Sequence, residues 1–382
     1  MIDLHIHSLF SDGTDTPENI VKIAKSKRME LIALTDHNTF DGCKEFQKAC
    51  QKYMQDALLG NEISTDYKGT EVHLLAYYPI DTDFSIPSFD KLRKVNEDFY
   101  KNKENQLDKI IENLKEDIDV DLKEFKDFIK GYKNWNRNHL ASYLLDKGIV
   151  KTRTEAFDKF LGDNTKYFVE NEKVNLIDAI QMVNETNGIC VIAHPGEYNL
   201  SKDEFEEMLF NVSKDLNTIG IEMFHQENTE QDMKNYFEIS KGIQNILHKK
   251  VLLTAGSDFH GKNKDIKIGQ VCSFKVKDDL EKILKATPDN VLYFLENNNI
   301  KYSFHEKVRY IDAINLINKA IKFDVLHTVD DDKHIAVCTS DNRWHKVPID
   351  IAAHMLMKDY DGYITVMNAV KRKEFENDID ER

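Results

Sequence analysis

The chain has 382 residues, more than one typical domain, and no apolar run approaches the roughly 18 residues needed to span a bilayer, which argues against a helical membrane protein. With 52 Lys and Arg against 67 Asp and Glu, the formal net charge is -15, which disfavours broad electrostatic binding to long nucleic acid. The 5 cysteines (Cys43, Cys50, Cys190, Cys272, Cys338) include no close Cys-x-x-Cys pair, so neither a disulfide framework nor a zinc knuckle is expected. A reducing, cytoplasmic setting follows, and no cleaved signal peptide is expected: Asp3 stands where a positively charged region belongs, and cleavage would remove His5 and His7.

In chain order, residues 1–6 read as a strand whose period of two sends His5 and His7 to the same side. Thr16-Pro17-Glu18 supplies an N-cap, a proline at the first helical position and an acidic first turn, opening a helix through about residue 27. Residues 31–35 form a predicted strand that delivers Asp36 and His37, followed by a predicted helix over 38–54. Strands at 58–63 and 72–77 flank a turn at Lys68-Gly69 and carry Glu62 and His73. Residues 88–165 are long, charged and helix-forming, and read as an insertion. Alternation then resumes: helix 176–187, strand 189–193, helix 204–212, strand 219–224, helix 229–247, strand 251–255. This rhythm predicts an α/β fold, a parallel barrel or sheet, with chemistry at the strand C-terminal ends.

Beyond about residue 299 the pattern is a small α+β module: strands at 323–328, 334–339 and 344–347, a helix at 349–357 and a strand at 363–367, then a charged tail over 371–382. The expected division is a barrel from 1–87 and 166–298, a helical cap from 88–165, and an appendage from 299–382 whose role is open.

Nine potential donors, His5, His7, Asp12, Asp36, His37, Glu62, His73, Asp258 and His260, fall in short clusters at or near the ends of apolar runs. A lone histidine beside a strand is more often structural than a ligand. That reading fails when it must be applied to every cluster, because His, Asp and Glu are costly to bury unless something offsets their desolvation. A shared metal site is therefore expected.

The strings His5-Ile6-His7-Ser8-Leu9-Phe10-Ser11-Asp12-Gly13, Leu34-Thr35-Asp36-His37-Asn38, Ala193-His194-Pro195-Gly196 and Gly256-Ser257-Asp258-Phe259-His260-Gly261 resemble the PHP (polymerase and histidinol phosphatase) superfamily. Asn136-Arg137-Asn138-His139-Leu140-Ala141 and Glu155-Ala156-Phe157-Asp158-Lys159-Phe160-Leu161-Gly162 bring it nearest to the nucleotide bisphosphate phosphatases and 5′-to-3′ exoribonucleases. The resemblance spans roughly residues 1–275 and implies a distorted (β/α)7-type barrel with the cap and appendage added.

It also implies a cluster of two or three divalent ions (Mn, Zn or Fe). His5, His7, Glu62 and Asp258 would hold the first, Asp12, His37 and His260 the second, and Glu62 would bridge to a third on His73 and His194. Asp36 is expected outside this set, orienting an imidazole. Three such ions bring roughly six positive charges against the carboxylates of Asp12, Glu62 and Asp258, enough to trap an anion in an acidic protein.

The implied activity is metal-dependent hydrolysis of phosphomonoesters of a small nucleotide or phosphorylated metabolite by a metal-bound hydroxide, with Asp258, His194 and His225 as catalytic candidates. Arg137, His139 and His225 are the substrate-binding candidates, and His225 or His139 could protonate the leaving oxygen. Asn138 stands where the family has proline, Glu197 where arginine follows Ala-His-Pro-Gly, and Asn228 where a histidine is expected, so a shifted specificity is expected. The alternatives are 5′-to-3′ trimming of short RNA, or a metal-containing binding protein without catalysis. The expected partner is a small phosphorylated substrate or short oligonucleotide, with no membrane; the oligomeric state stays open.

Overall fold

The structure, a computed structural model, describes residues 1–130, 136–214, 216 and 218–304, and the backbone of three short strands at 326–328, 334–338 and 344–348. It separates into two units, Met1–Tyr302 and Ser303–Arg382.

The first unit follows β1 (Ile2–Asp3), α1 (Pro17–Ser26), β2 (Leu31–Leu34), α2 (Cys43–Tyr53), β3 (Ala57–Tyr67) and β4 (Thr70–Tyr78). Thr16 caps α1 as its sequence demands, its hydroxyl accepting from the Asn19 N–H at 3.1 Å, and Ile20, Val21 and Ala24 turn inward. The helix α2 starts later than expected because β3 captures the preceding loop. The Asn38 N–H donates to the Glu62 carbonyl at 2.9 Å, and the Asn38 side chain accepts from the Ser64 N–H at 3.1 Å and donates to its hydroxyl at 3.0 Å.

Helices α3 (Asp90–Leu114), α4 (Leu122–Phe128), α5 (Arg137–Asp146) and α6 (Arg153–Ala156) come next, with one π-helical turn at Phe157–Leu161. They enclose their own apolar cluster around Leu107, Ile110, Phe125, Leu140 and Leu144. Then come β5 (Val174–Asn175), α7 (Leu176–Glu185), β6 (Ile189–Ile192), α8 (Lys202–Ser213), β7 (Thr218–Phe224), α9 (Glu230–Leu247) and β8 (Lys250–Ala255). A final helix, α10 (Asp278–Asn297), lies where no element was expected and buries Leu280, Val291 and Leu295.

The strands form one sheet in the order β1-β2-β3-β4-β6-β7-β8, with β5 pairing on β3. Most neighbours are parallel, but the Lys68-Gly69 turn makes β4 antiparallel to both β3 and β6. The ring nearly closes: the Leu4 N–H donates to the Ala255 carbonyl and the His7 N–H to the Phe259 carbonyl, both at 2.9 Å. This is the α/β barrel of seven strands expected from the sequence, with a core of Val, Ile and Leu from β2, β4, β6 and β7.

In the second unit β9 (Leu326–Thr328), β10 (His334–Cys338) and β11 (Trp344–Pro348) form an antiparallel sheet in the order β11-β10-β9. The helix at 349–357, the strand at 363–367 and the tail at 371–382 lie outside the described residues. No described helix is long and apolar enough to cross a membrane.

Candidate metal centre

Each strand of the ring delivers its polar residues to one mouth. His5 and His7 follow β1, His37 follows β2, Glu62 lies in β3 and His73 in β4, His194 follows β6, His225 follows β7, and Asp258 and His260 follow β8. Asp3, which shares the His5 and His7 alternation, accepts from the Ser257 N–H at 2.9 Å and the Ser257 hydroxyl at 2.6 Å, stapling β1 to the loop that carries Asp258.

Glu62 is the hub and is fully buried. Its Oε2 lies 3.2 Å from His5 Nε2, 3.1 Å from His7 Nε2 and 3.0 Å from His37 Nδ1. Its Oε1 lies 2.8 Å from His73 Nδ1 and 2.9 Å from His194 Nε2. Asp258 Oδ1 approaches His7 Nε2 at 3.0 Å and His5 Nε2 at 3.4 Å. Asp12 Oδ1 sits 3.0 Å from His260 Nε2, and Asp12 Oδ2 sits 3.8 Å from His37 Nε2.

Two four-residue groups, His5-His7-Glu62-Asp258 and His7-Asp12-His37-His260, and two trios, His37-Glu62-His73 and Glu197-His225-Asp258, each offer donor atoms within 4.8 Å of one another. The buried Nε2 atoms of His5 and His7 and the Glu62 Oε2 converge without making hydrogen bonds. Buried polar atoms of this kind are normally satisfied, so converging lone pairs fit a cation among them. Mixed imidazole and carboxylate donors suit zinc, manganese or iron.

Outer contacts fix which ring atom faces inward. His5 Nδ1 lies 3.0 Å from Glu222 Oε1, and His260 Nδ1 lies 2.8 Å from the Asp258 carbonyl, so Nδ1–H donates outward in both rings and Nε2 is left bare. Glu222, which also accepts from the His194 N–H at 2.7 Å, was missed in the sequence reading. Asp36 reaches the His7 imidazole through Ser11. It accepts from the Ser8 N–H and hydroxyl, both at 2.7 Å, and from the Ser11 hydroxyl at 2.6 Å; Ser11 Oγ in turn lies 3.4 Å from His7 Nδ1.

Burial would lower the His7 and His73 rings, but the adjoining carboxylates overturn this and hold them up at about 9 and about 10. Glu62 and Asp258 are held well below the usual carboxylate range: burial opposes ionisation, and the surrounding imidazoles outweigh it. His225 goes the other way, to about 4, because burial and the neighbouring His194 and His5 outweigh the Glu222 charge.

Gly256 is required by close approach, since a Cβ there would stand 2.0 Å from Glu222 Oε1 and 2.4 Å from the His5 Cβ. Gly256→Ala is expected to cost about 1–3 kcal/mol by displacing both side chains; thermal melting of the metal-free protein measures it.

Of the three substrate-binding candidates, His225 stands at the mouth, its ring centroid 5.4 Å from that of His194, while Arg137 and His139 make their bonds among the helices of residues 88–165. Arg137 opens α5 and donates through NH1 to the Leu161 carbonyl at 2.9 Å and to Asp163, while its guanidinium lies 5.5 Å from the centroid of the Phe168 ring. His139 Nδ1 accepts from the Asn136 N–H at 3.1 Å as part of a capping box. The cap reaches the centre through Tyr100, whose hydroxyl donates to the His37 carbonyl at 2.6 Å. Asn228 is a staple: its side chain accepts from the Gly196 N–H at 2.8 Å and donates to the Glu222 and Met223 carbonyls.

The PHP domain family matches residues 3–299. A 5′-3′ exoribonuclease of Haemophilus influenzae is 27% identical over 69% of this chain and 94% of its own length. A 3′,5′-nucleoside bisphosphate phosphatase of Chromobacterium violaceum is 26% identical over 68% of this chain and 87% of its own length. Among solved structures, a candidate metal-dependent phosphoesterase from Bifidobacterium adolescentis superposes with a TM-score of 0.57 at 26% identity, covering 74% of this chain and 95% of that one. Phosphoric ester hydrolysis is common to these relatives, and a barrel mouth ringed with divalent-metal donors is where it would be carried out. The chain belongs to the PHP-domain family of metal-dependent phosphoesterases.

Proposed function

We propose that this mouth hydrolyses a phosphomonoester of a small nucleotide or phosphorylated metabolite, such as a 3′,5′-bisphosphorylated nucleoside. The observation that carries the reading is Glu62, a buried carboxylate ringed by His5, His7, His37, His73 and His194 at 2.8–3.2 Å. His5, His7, Glu62 and Asp258 would hold one ion, Asp12, His37 and His260 a second, and Glu62, His73 and His194 a third. Bound divalent ions supply charge neutralisation on the phosphoryl group and a water acidic enough to attack near neutral pH.

The protein's own residues orient the substrate and donate hydrogen bonds to it. His225 Nδ1 accepts from the Glu227 N–H at 3.3 Å, which places the hydrogen of its neutral ring on Nε2. That Nε2 is buried without a hydrogen-bond partner among the described residues, so it is available to donate to a phosphoryl or leaving oxygen. His225→Ala is expected to lower kcat by ~10²-fold with metal content unchanged; parallel kinetics and elemental analysis check both. Arg137 and His139 would reach the rest of the substrate from the cap.

The test is phosphate release from a phosphomonoester panel with manganese, comparing wild type with His7→Ala and Asp258→Ala. Loss of turnover in both variants is expected, and equal turnover in all three would refute the assignment. Bound metal without phosphate release would favour a binding protein. The likeness to an exoribonuclease supports trimming of short RNA as a second reading, and a labelled oligonucleotide ladder separates it from the first.

A further inference from the structure

Asp258 and His194 both sit at positive φ, 53° and 21°, a backbone setting uncommon for residues with side chains. Each makes a two-sided contact. Asp258 Oδ1 faces His7 and His5 at 3.0 and 3.4 Å, while its Oδ2 is taken by the Lys264 ammonium. His194 Nε2 faces Glu62 Oε1 at 2.9 Å, while Glu197 Oε2 approaches its Nδ1 at 3.3 Å.

Both partners are held in place. The turn before Lys264 is pinned to the Asp12 segment: the Lys262 N–H donates to Thr14 Oγ1 at 2.9 Å and Asn263 Nδ2 to the Asp12 carbonyl at 2.7 Å. The turn that carries Glu197 is pinned by Asn228 through the Gly196 N–H at 2.8 Å.

From this we infer that Lys264 and Glu197 are positioning residues for the metal centre, resting on the proposed ligand set. Lys264 occupies the outer oxygen of Asp258 and turns Oδ1 inward. Glu197 sets its carboxylate 3.3 Å from the outer Nδ1 of His194, a charge contact rather than a hydrogen bond, which favours a proton on Nδ1 and the Nε2 lone pair turned inward. Their charges cancel, so they orient ligands without changing the net charge at the mouth. A carboxylate at 197 therefore serves the metal rather than gripping phosphate.

The test uses manganese(II) alone, without substrate: its affinity for the full chain by chelator competition, with melting of each metal-free variant as a folding control. Lys264→Met and Glu197→Ala are each expected to weaken manganese binding by about 10–100-fold. Because the contact is one of charge, Glu197→Gln is expected to weaken manganese binding as Glu197→Ala does while the metal-free variant melts like wild type, a contrast that general destabilisation would not give. Manganese affinity unchanged in Lys264→Met and Glu197→Ala would overturn the inference, as would a change in KM alone. A wild type that binds manganese but hydrolyses no phosphoester would sink the proposed function and leave this inference standing; one that binds no manganese would sink both.

Discussion

Glu62→Ala is expected to empty the centre and abolish turnover. Five imidazoles contact this one carboxylate, which would serve two of the three implied ions, so its removal strikes both at once rather than one ligand of one site. Losing an outer-shell partner typically costs 10–100-fold in metal affinity, and loss of a shared inner ligand should exceed ~100-fold. With the ions go several kcal/mol of transition-state charge stabilisation, so kcat/KM should fall by about 10³-fold or more. Glu62→Gln keeps the side-chain shape and tests charge separately from volume. Elemental analysis after dialysis, with circular dichroism to confirm folding, reads the result; full metal content in Glu62→Ala would contradict it.

The second large effect is the pH dependence of metal binding. In the metal-free protein His7 and His73 are held up at about 9 and about 10, and His5 is also raised, by Glu222, Glu62 and Asp258 against its burial. At pH 7 the His7 and His73 rings are protonated, so metal must displace about two protons and affinity should rise steeply from pH 6 towards 9. Calorimetry in buffers of different ionisation enthalpy counts the protons; a pH-independent affinity would contradict the account.

Stability of the metal-free protein runs oppositely at the alkaline end. Raised histidines stabilise fully below their unfolded value of about 6.5, and that contribution is lost as pH climbs through about 9 to 10. The depressed carboxylates of Glu62 and Asp258 stabilise above their unfolded values near 4 and lose this as pH falls. The melting temperature of metal-free protein should therefore peak between about pH 4.5 and 6.5, while added metal moves the optimum upward.

Local chemistry made much of this legible in the sequence. Thr16-Pro17 announces α1, and His5-Ile6-His7 announces paired imidazoles, because capping and period-two alternation act over a few residues. The antiparallel course of β4 was less legible, since its pattern is that of any buried strand and only the short turn at Lys68-Gly69 hinted at it. Glu222 carried an unread signal: a carboxylate between Ile221 and Met223 in a wholly apolar strand is too costly to bury without a partner, yet that partner, His5, lies 217 positions away. Lys264 gave no signal at all, because an exposed-looking lysine in a charged loop acquires its meaning only from the turn that folds it onto Asp258. The link from Asp36 to His7 runs through Ser11, and such a relay leaves no pattern in sequence.

Diffraction from crystals grown with manganese, recorded to give anomalous difference density, tests the central claim most directly. The account predicts peaks enclosed by His5, His7, Asp12, His37, Glu62, His73, His194, Asp258 and His260, with Glu62 touching more than one of them. Crystals of a phosphate-releasing preparation with no anomalous peak among these side chains would contradict it.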